Sequence, residues 1–187
     1  HTTVISDDIG PHAARTGVTT VLPRGRDVGV PAAAGIFSFN GNGELTGRNW
    51  IDEAGVLAMP IAITNSHSVG AVHSGVDRWV ATHYPEVAAA WMLPVVGETW
   101  DGYLNDLNAQ HVTAEHVAQA LDAAASGPVA EGAVGGGTGM NCYAFKGGIG
   151  TASRAVPVGG ERFTVGALIQ ANYGAREELE WNGIRLG

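Results

Sequence analysis

Residues Gly135 to Arg154 read GGGTGMNCYAFKGGIGTASR, and the reading of the whole chain turns on this stretch. Gly135, Gly136, Gly137, Gly139, Gly147, Gly148 and Gly150 crowd into sixteen positions. Glycine loses more backbone entropy on ordering than any other residue. Such density therefore marks either a flexible linker or a backbone that turns tightly and packs close to something. The intervening residues choose between the two. Met140, Cys142, Tyr143, Phe145 and Ile149 are core-forming types, not the Ser and Gln filler of a linker. The stretch reads as an ordered loop system feeding a buried strand.

A phosphate-binding loop is the obvious alternative, and it fails on spacing. Lys146 is followed by Gly147 where a P-loop needs Ser or Thr. The G-x-G-x-x-G pattern is also incomplete: the fit from Gly135 arrives at Met140, and the fit from Gly137 arrives at Cys142.

The composition bounds the rest. At 187 residues the chain fits a single domain, residues 1–187, with a sizeable core. Hydrophobic residues make up 45% and charged residues 15%, a balance that fits a protein hiding surface against another subunit. The net charge is −8, from 18 acids against 10 bases, with no basic block, which argues against nucleic acid as a partner. The apolar stretches near 54–63 and 87–96 are too short for a membrane span and carry Pro60 and Pro94. Cys142 is the one cysteine, so there is no internal disulfide framework. It leaves a bacterial cytoplasm and a periplasm equally open.

Along the chain, Thr16–Leu22 is rich in β-formers, and Gly35–Phe39 is apolar and followed by the turn signal Asn40-Gly41-Asn42-Gly43. Asn49–Leu57 reads as a short helix and Met59–Thr64 as a buried strand. Val72, Val76, Trp79 and Val80 follow i, i+4, i+7, i+8, one apolar face of a helix. Thr113 is a plausible N-cap for a second helix that carries Glu115 in its first turn. Val117, Leu121 and Ala124 form its inner face, and Ser126-Gly127-Pro128 is its expected stop. Phe163–Ala171 is a nearly continuous apolar run and reads as a buried strand. Near the end, Leu179 and Trp181 alternate with charge, Asn182-Gly183 signals a type I′ turn, and Ile184 and Leu186 alternate again up to Gly187. Ending within a hairpin points to a larger fold. Strands and helices mix without strict βαβ alternation, which gives a layered α+β class.

Candidate chemistry from residue types alone is sparse. The seven histidines form no H-E-x-x-H, and His111 and His116 are five apart, off one helical face. No metal and no cofactor is expected. Cys142 as a nucleophile needs a base or a helix N-terminus to lower its pKa. His67 is the only suggestive partner and nothing ties the two together, so Cys142 reads as a small buried hydrophobe. Ser66-His67-Ser68 invites a serine–histidine reading. Sequence neighbours point apart, however, and the segment is better placed as structure at the end of the Met59–Thr64 strand, near a cleft.

The Gly135–Arg154 stretch resembles the GGGTGM…KGGIGTASR signature of the L-aminopeptidase/D-amidase-esterase family, which includes the β-peptidyl aminopeptidases. Five further segments agree and fall in the family's order: Arg15–Gly25, Ala34–Gly55, Ile63–Val72, Val95–Asp106 and Thr164–Gly174. The resemblance covers nearly the whole chain. It implies an αββα sandwich resembling N-terminal nucleophile hydrolases, completed by a second (β) chain. Such precursors cut themselves once before a Ser, and that new N-terminal Ser is the nucleophile, with its own amine or nearby groups as base. A chain that starts at His1 then corresponds to the first (α) subunit, and family members usually carry a further stretch upstream. Gly187 is one candidate for the cleavage position. A longer, variable stretch usually follows the hairpin, which keeps later positions open.

The resemblance also implies site residues. Asn172, at the end of the Phe163–Ala171 strand, matches an oxyanion-stabilising amide; the alternative is a turn-forming Asn. Glu98, in GETWDG, matches a carboxylate that anchors the substrate's free amine; the alternative is a solvated surface acid. Trp100 matches an aromatic at the mouth of the site. Some members have Tyr there, whose hydroxyl can join the oxyanion hole. Tryptophan offers only its ring N–H, so Trp100 reads as a wall of the acyl pocket. The implied function is an aminopeptidase acting on short peptides, amides and esters, with β- and D-residues among its substrates, assembled as a tetramer of αβ units. The alternatives are an ornithine acetyltransferase-like enzyme, which shares the architecture but cuts before a Thr, and a non-catalytic binding domain.

Overall fold

The computed structural model of the chain describes residues 1–186; the cleavage position expected at Gly187 lies outside them. Strands β1 (Thr2–Ile5) and β2 (Arg15–Val21) pair antiparallel, with Thr2 opposite Val18. Two short strands, β3 (Ala32–Ala33) and β4 (Val56–Leu57), bracket helix α1 (Arg48–Ala54). Strand β5 (Ile61–Asn65) joins β2 antiparallel. A 3₁₀ turn at Ser66–Ser68 then leads into α2 (Val69–His83) and α3 (Pro85–Ala90). This crossover lets β6 (Val95–Thr99) lie parallel to β5, with Thr64 opposite Glu98. The sheet order is β1-β2-β5-β6. Helix α4 (Ala114–Asp122) follows, then the short pair β7 (Asn141–Cys142) and β8 (Phe145–Lys146). A long two-stranded ribbon, β9 (Ile149–Val158) and β10 (Glu161–Gln170), precedes the small hairpin β11 (Glu180–Trp181) and β12 (Ile184–Arg185).

Helices α2 and α4 pack on one face of the sheet. Val72, Val76, Trp79 and Val80 are buried there, as their spacing predicts, against Val117, Ala120 and Leu121 of α4 and Val18, Ala62 and Val96 of the strands. The two helices cross closely at Gly75, where an added Cβ would lie 2.9 Å from Val117 Cγ2. Thr113 precedes α4 as expected, its N–H donating to His116 Nδ1 at 3.0 Å. The helix stops at Asp122, earlier than Ser126-Gly127-Pro128. The cause lies far away in sequence: the Arg26 guanidinium donates to the carbonyls of Leu121 (3.0 Å), Asp122 (2.8 Å) and Ala124 (3.0 Å). Leu121 O also accepts from Ala124 N–H at 3.2 Å, so the guanidinium adds a charged donor to a helix end whose last carbonyls run out of intrahelical partners.

The glycine stretch covers part of the opposite face. A 3₁₀ turn at Gly135–Gly137 lies on β2: Gly136 N–H donates to Thr19 Oγ1 at 3.1 Å and Gly135 N–H to Thr3 Oγ1 at 2.8 Å. A Cβ on Gly17 would collide with the Gly135 carbonyl, so here the glycines serve close backbone approach. Lys146 Nζ donates to the carbonyls of Gly137 (3.1 Å) and Gly147 (2.6 Å), tying the two glycine segments together, and burial holds its pKa below the usual lysine value.

Strand β10 forms where the apolar run predicted one, but it is not buried in this chain. Phe163 is 52% exposed and Val165 62%, and of β9 only Ile149 is buried. Among the described residues the ribbon is exposed along most of its length. Cys142 is half-buried rather than buried. Gly35–Phe39 forms no strand and leaves Phe39 92% exposed. The Asn182-Gly183 turn forms as predicted, with φ of 50° and 79° joining β11 to β12. Helices, four-stranded sheet and ribbon give the mixed α/β arrangement. No helix among the described residues is long and apolar enough to cross a membrane.

Candidate functional site

The parallel strands β5 and β6 end side by side, and their ends carry the chemistry. Glu98 is the fourth residue of β6 and Ser66 directly follows β5. The register sets them together: the Ser66 hydroxyl donates to Glu98 Oε2 at 2.5 Å. On its other side β6 is flanked by the 44–46 segment, with Glu98 N–H donating to the Glu44 carbonyl at 3.1 Å. A Cβ on Gly43 would sit 2.8 Å from Glu98 Oε1. The carboxylate is thus half-buried between a serine turn and a glycine turn.

Two residues on, Trp100 leaves the strand with its side chain half exposed. Its backbone is clamped by the side chain of Asn172, which lies two residues past β10. Trp100 N–H donates to Asn172 Oδ1 at 2.8 Å, and Asn172 Nδ2 donates to the Trp100 carbonyl at 2.9 Å. Nδ2 also donates to the Asn141 carbonyl at 3.2 Å. An N–H on one side and carbonyls on the other fix which way the amide faces, and both of its hydrogens are engaged. Beside this clamp, Gln170 Nε2 donates to Thr99 Oγ1 at 2.5 Å. The end of the exposed ribbon is therefore fastened to the end of β6 by two amide side chains.

Glu98, Trp100 and Asn172 are thus neighbours, as the resemblance implies. Ser66 is the member that residue reading placed as structure only. Its contact with Glu98 depends on the register of two strands far apart in sequence. A second residue went unread: Asp101, fully buried directly after Trp100. Asn105 Nδ2 donates to its Oδ1 at 3.0 Å. Burial pushes the Asp101 carboxyl above the usual range, against the opposing effects of the Thr16 hydroxyl, the Asn105 amide and the His111 charge. A D-x-x-x-N spacing was the available signal.

Cys142 lies beside the Tyr173 hydroxyl, and the exposed His67 is not bonded to it among the described residues. Among those residues no three of His, Cys, Asp or Glu gather as metal ligands. A cleft of about 1180 Å³ lies away from Glu98, between Thr20 and Val21 of β2 and Thr151 and Leu168 of the ribbon.

The peptidase family S58 model matches residues 1–187. The beta-peptidyl aminopeptidase BapA of Sphingosinicella microcystinivorans is 51% identical over 179 residues, covering 95% of this chain and 44% of that protein. The beta-peptidyl aminopeptidase BapA of Sphingosinicella xenopeptidilytica is 50% identical over 192 residues, covering all of this chain and 48% of that protein. The chain spans about half the length of these curated relatives. Among solved structures, the L-aminopeptidase D-Ala-esterase/amidase of Ochrobactrum anthropi aligns with a TM-score of 0.93 at 47% identity, over 99% of this chain and 53% of that one. That protein is described as a prototype for the serine aminopeptidases and a variant of the Ntn hydrolase fold, and at this similarity the two share the fold. By this match along its whole length, the chain belongs to peptidase family S58.

Proposed function

We propose that this chain is the first subunit, a single domain, of a self-processing serine aminopeptidase. Its nucleophile is the N-terminal Ser of a companion chain cut from the same precursor, and αβ units assemble further into a tetramer. The enzyme releases N-terminal residues from short peptides, amides and esters, with β- and D-residues among them. The observation that carries this reading is the Glu98 carboxylate, held by Ser66 at the strand ends within two residues of the Trp100–Asn172 clamp. A carboxylate there suits a substrate ammonium, and such a charge-assisted bond is stronger than a neutral one. Trp100 walls the acyl pocket. Asn172 supplies the oxyanion donor by exchanging its longer bond, to the Asn141 carbonyl, for the developing charge. The exposed apolar face of the ribbon is the surface the companion chain covers. Both curated relatives are aminopeptidases, which weighs against the acetyltransferase alternative.

The test compares kcat/KM for a free-amine amide and its N-acetyl form in the wild type and in Glu98→Gln. The variant keeps shape and an acceptor oxygen but loses the charge. Selective loss on the free amine supports the anchor. A wild type that cleaves both forms equally well removes it, and the aminopeptidase reading with it.

A further inference from the structure

The run Asn40-Gly41-Asn42-Gly43 reads as a turn, and its two glycines look alike in sequence. The structure separates them. Gly41 has a φ of 70°, a left-handed value that favours glycine. Gly43 lies outside that region, so backbone conformation gives no reason for a glycine there. Space does. The nearest atoms that a Cβ at position 43 would meet all belong to Glu98: Oε1 at 2.8 Å, Cδ at 3.7 Å and Cγ at 3.9 Å. The side chain that residue 43 lacks is missing from beside one carboxylate.

Backbone pairing fixes this placement. Residues 44–46 run along the outer edge of β6: Glu98 N–H donates to the Glu44 carbonyl at 3.1 Å, Thr46 N–H donates to the Val96 carbonyl at 3.0 Å, and Leu45 bridges Gly97 antiparallel. That register brings residue 43 alongside the Glu98 side chain. The turn before it is closed by its own side chains, with Gly41 N–H donating to Ser38 Oγ at 3.1 Å and Asn42 N–H to Asn40 Oδ1 at 2.9 Å. The two oxygens of Glu98 are therefore unequal. Oε2 accepts from the Ser66 hydroxyl. Among the described residues Oε1 accepts no hydrogen bond and no Lys, Arg or His pairs with Glu98, yet Oε1 is not sealed from solvent. An open, unpartnered carboxylate oxygen is an acceptor awaiting a donor. An ammonium nitrogen bonds such an oxygen at about 2.7–2.9 Å. A methyl group standing 2.8 Å from Oε1 would crowd that approach.

We propose that Gly43 is a specificity-determining residue of the amine site: its missing side chain leaves Glu98 Oε1 open to a primary ammonium, while Ser66 holds Oε2. The proposal rests on the reading of Glu98 as the amine anchor. Gly43→Ala is its natural probe. The backbone at 43 is not left-handed, so a Cβ brings no conformational strain. The added methyl meets the end of a flexible side chain rather than a neighbouring backbone. The carboxylate moves and the fold does not, and in moving the carboxylate strains or gives up its bond from Ser66.

The experiment uses the full-length gene product. It measures kcat and KM for a free-amine amide and its N-acetyl form, together with a urea melt, in wild type, Gly43→Ala, Ser66→Ala, Glu98→Gln and the Gly43→Ala/Glu98→Gln double variant. Gly43→Ala is expected to lower the free-amine preference roughly tenfold, mainly through KM, with the urea midpoint unchanged. Ser66→Ala should lower the preference in the same direction. In the Glu98→Gln background Gly43→Ala should have no further effect on it, since both act through one oxygen. Equal loss on both substrates, or effects of Gly43→Ala and Glu98→Gln that multiply, overturns the proposal and returns Gly43 to a turn glycine. An intact preference in Gly43→Ala or in Ser66→Ala also overturns it; if Glu98→Gln alone still loses the preference, the Glu98 anchor stands. Absence of preference in the wild type removes the anchor itself. A Gly43→Ala product that fails to assemble counts against the proposal too, because a methyl that meets only a carboxylate leaves the fold intact.

Discussion

Two parts of this chain treat apolar residues in opposite ways. Between α2, α4 and the four-stranded sheet, Val18, Val72, Val76, Val80, Val96, Val117 and Leu121 have no accessible surface. Along the ribbon and the hairpin after it, Phe163, Val165, Ile169, Trp181 and Ile184 each expose half or more of theirs. Both regions are rich in β-branched and aromatic residues, so composition does not separate them. Neighbours do: the first region closes on itself, and the second is fastened near its base, by Gln170 and Asn172 to Thr99 and Trp100 and by Ile149 and Thr151 to Gly132 and Glu131. The candidate site lies at that seam. A surface left open beside a site is where a second chain can both complete a core and deliver a reactive group, which is why the proposed nucleophile is sought off this chain.

Asn172 is the sharpest place to break the comparison, because it belongs to the ribbon and holds the closed region. Asn172→Ala should lower turnover roughly 10²–10³-fold with little change in KM if the amide acts as an oxyanion donor. If it acts only as the Trp100 clamp, KM should rise instead as the pocket wall loosens. Steady-state kinetics with one amide substrate separates the two.

Truncations in the two regions come next. Leu121→Ala should cost roughly 2–5 kcal/mol, since it empties a sealed site. Phe163→Ala should cost under about 0.5 kcal/mol in this chain alone, as surface changes do, and several-fold more in the full-length product if a companion chain covers the ribbon. Urea melts of both proteins give the comparison. Equal, small costs for Phe163→Ala in the two would leave the ribbon bare and the companion-chain reading without its surface.

How much of this was legible in the sequence follows the same division. The α2 face could be read because helical period and burial coincide in a region that closes on itself. The Asn182-Gly183 turn and the Thr113 start of α4 are local chemistry and formed as read. The burial of Phe163–Ala171 was misjudged because an apolar run says that a segment can be buried, not whether the chain itself supplies the cover. The stop of α4 was misplaced because Arg26, some 95 residues away in sequence, takes its last carbonyls. Glu98, Trp100 and Asn172 were reached by resemblance. Ser66 and Asp101 were missed because strand register and a buried polar network leave little local mark.

Arg26 gives a smaller and more local effect. Arg26→Ala should destabilise the closed region by about 1–2 kcal/mol, because three carbonyls at the end of α4 lose a charged donor. Hydrogen exchange should show the loss concentrated in the last turn of α4, with the ribbon unchanged. Faster exchange in β9 and β10 would mean that the two regions are more tightly coupled than their contacts indicate.

The subtlest difference is one of pH. Asp101 is a carboxyl sealed inside the closed region, and burial raises its pKa above the ordinary 3.8. From the unfolded value up to the folded one, the folded protein holds a proton that the unfolded chain has released. The folded state binds more protons in that window, so rising pH removes stability; below 3.8 both states are protonated and the group contributes nothing further. Asp101→Asn has no proton to lose. Whatever the variant's starting stability, its stability relative to wild type should therefore improve between about pH 4 and pH 7.5. Urea melts at the two ends of that range measure the change. A relative stability that stays constant or falls as pH rises would mean that the carboxyl is not held up by burial, and that the closed region admits more solvent at Asp101 than its lack of accessible surface implies. A relative stability that rises with pH would show that the sealed carboxyl costs the closed region stability at neutral pH.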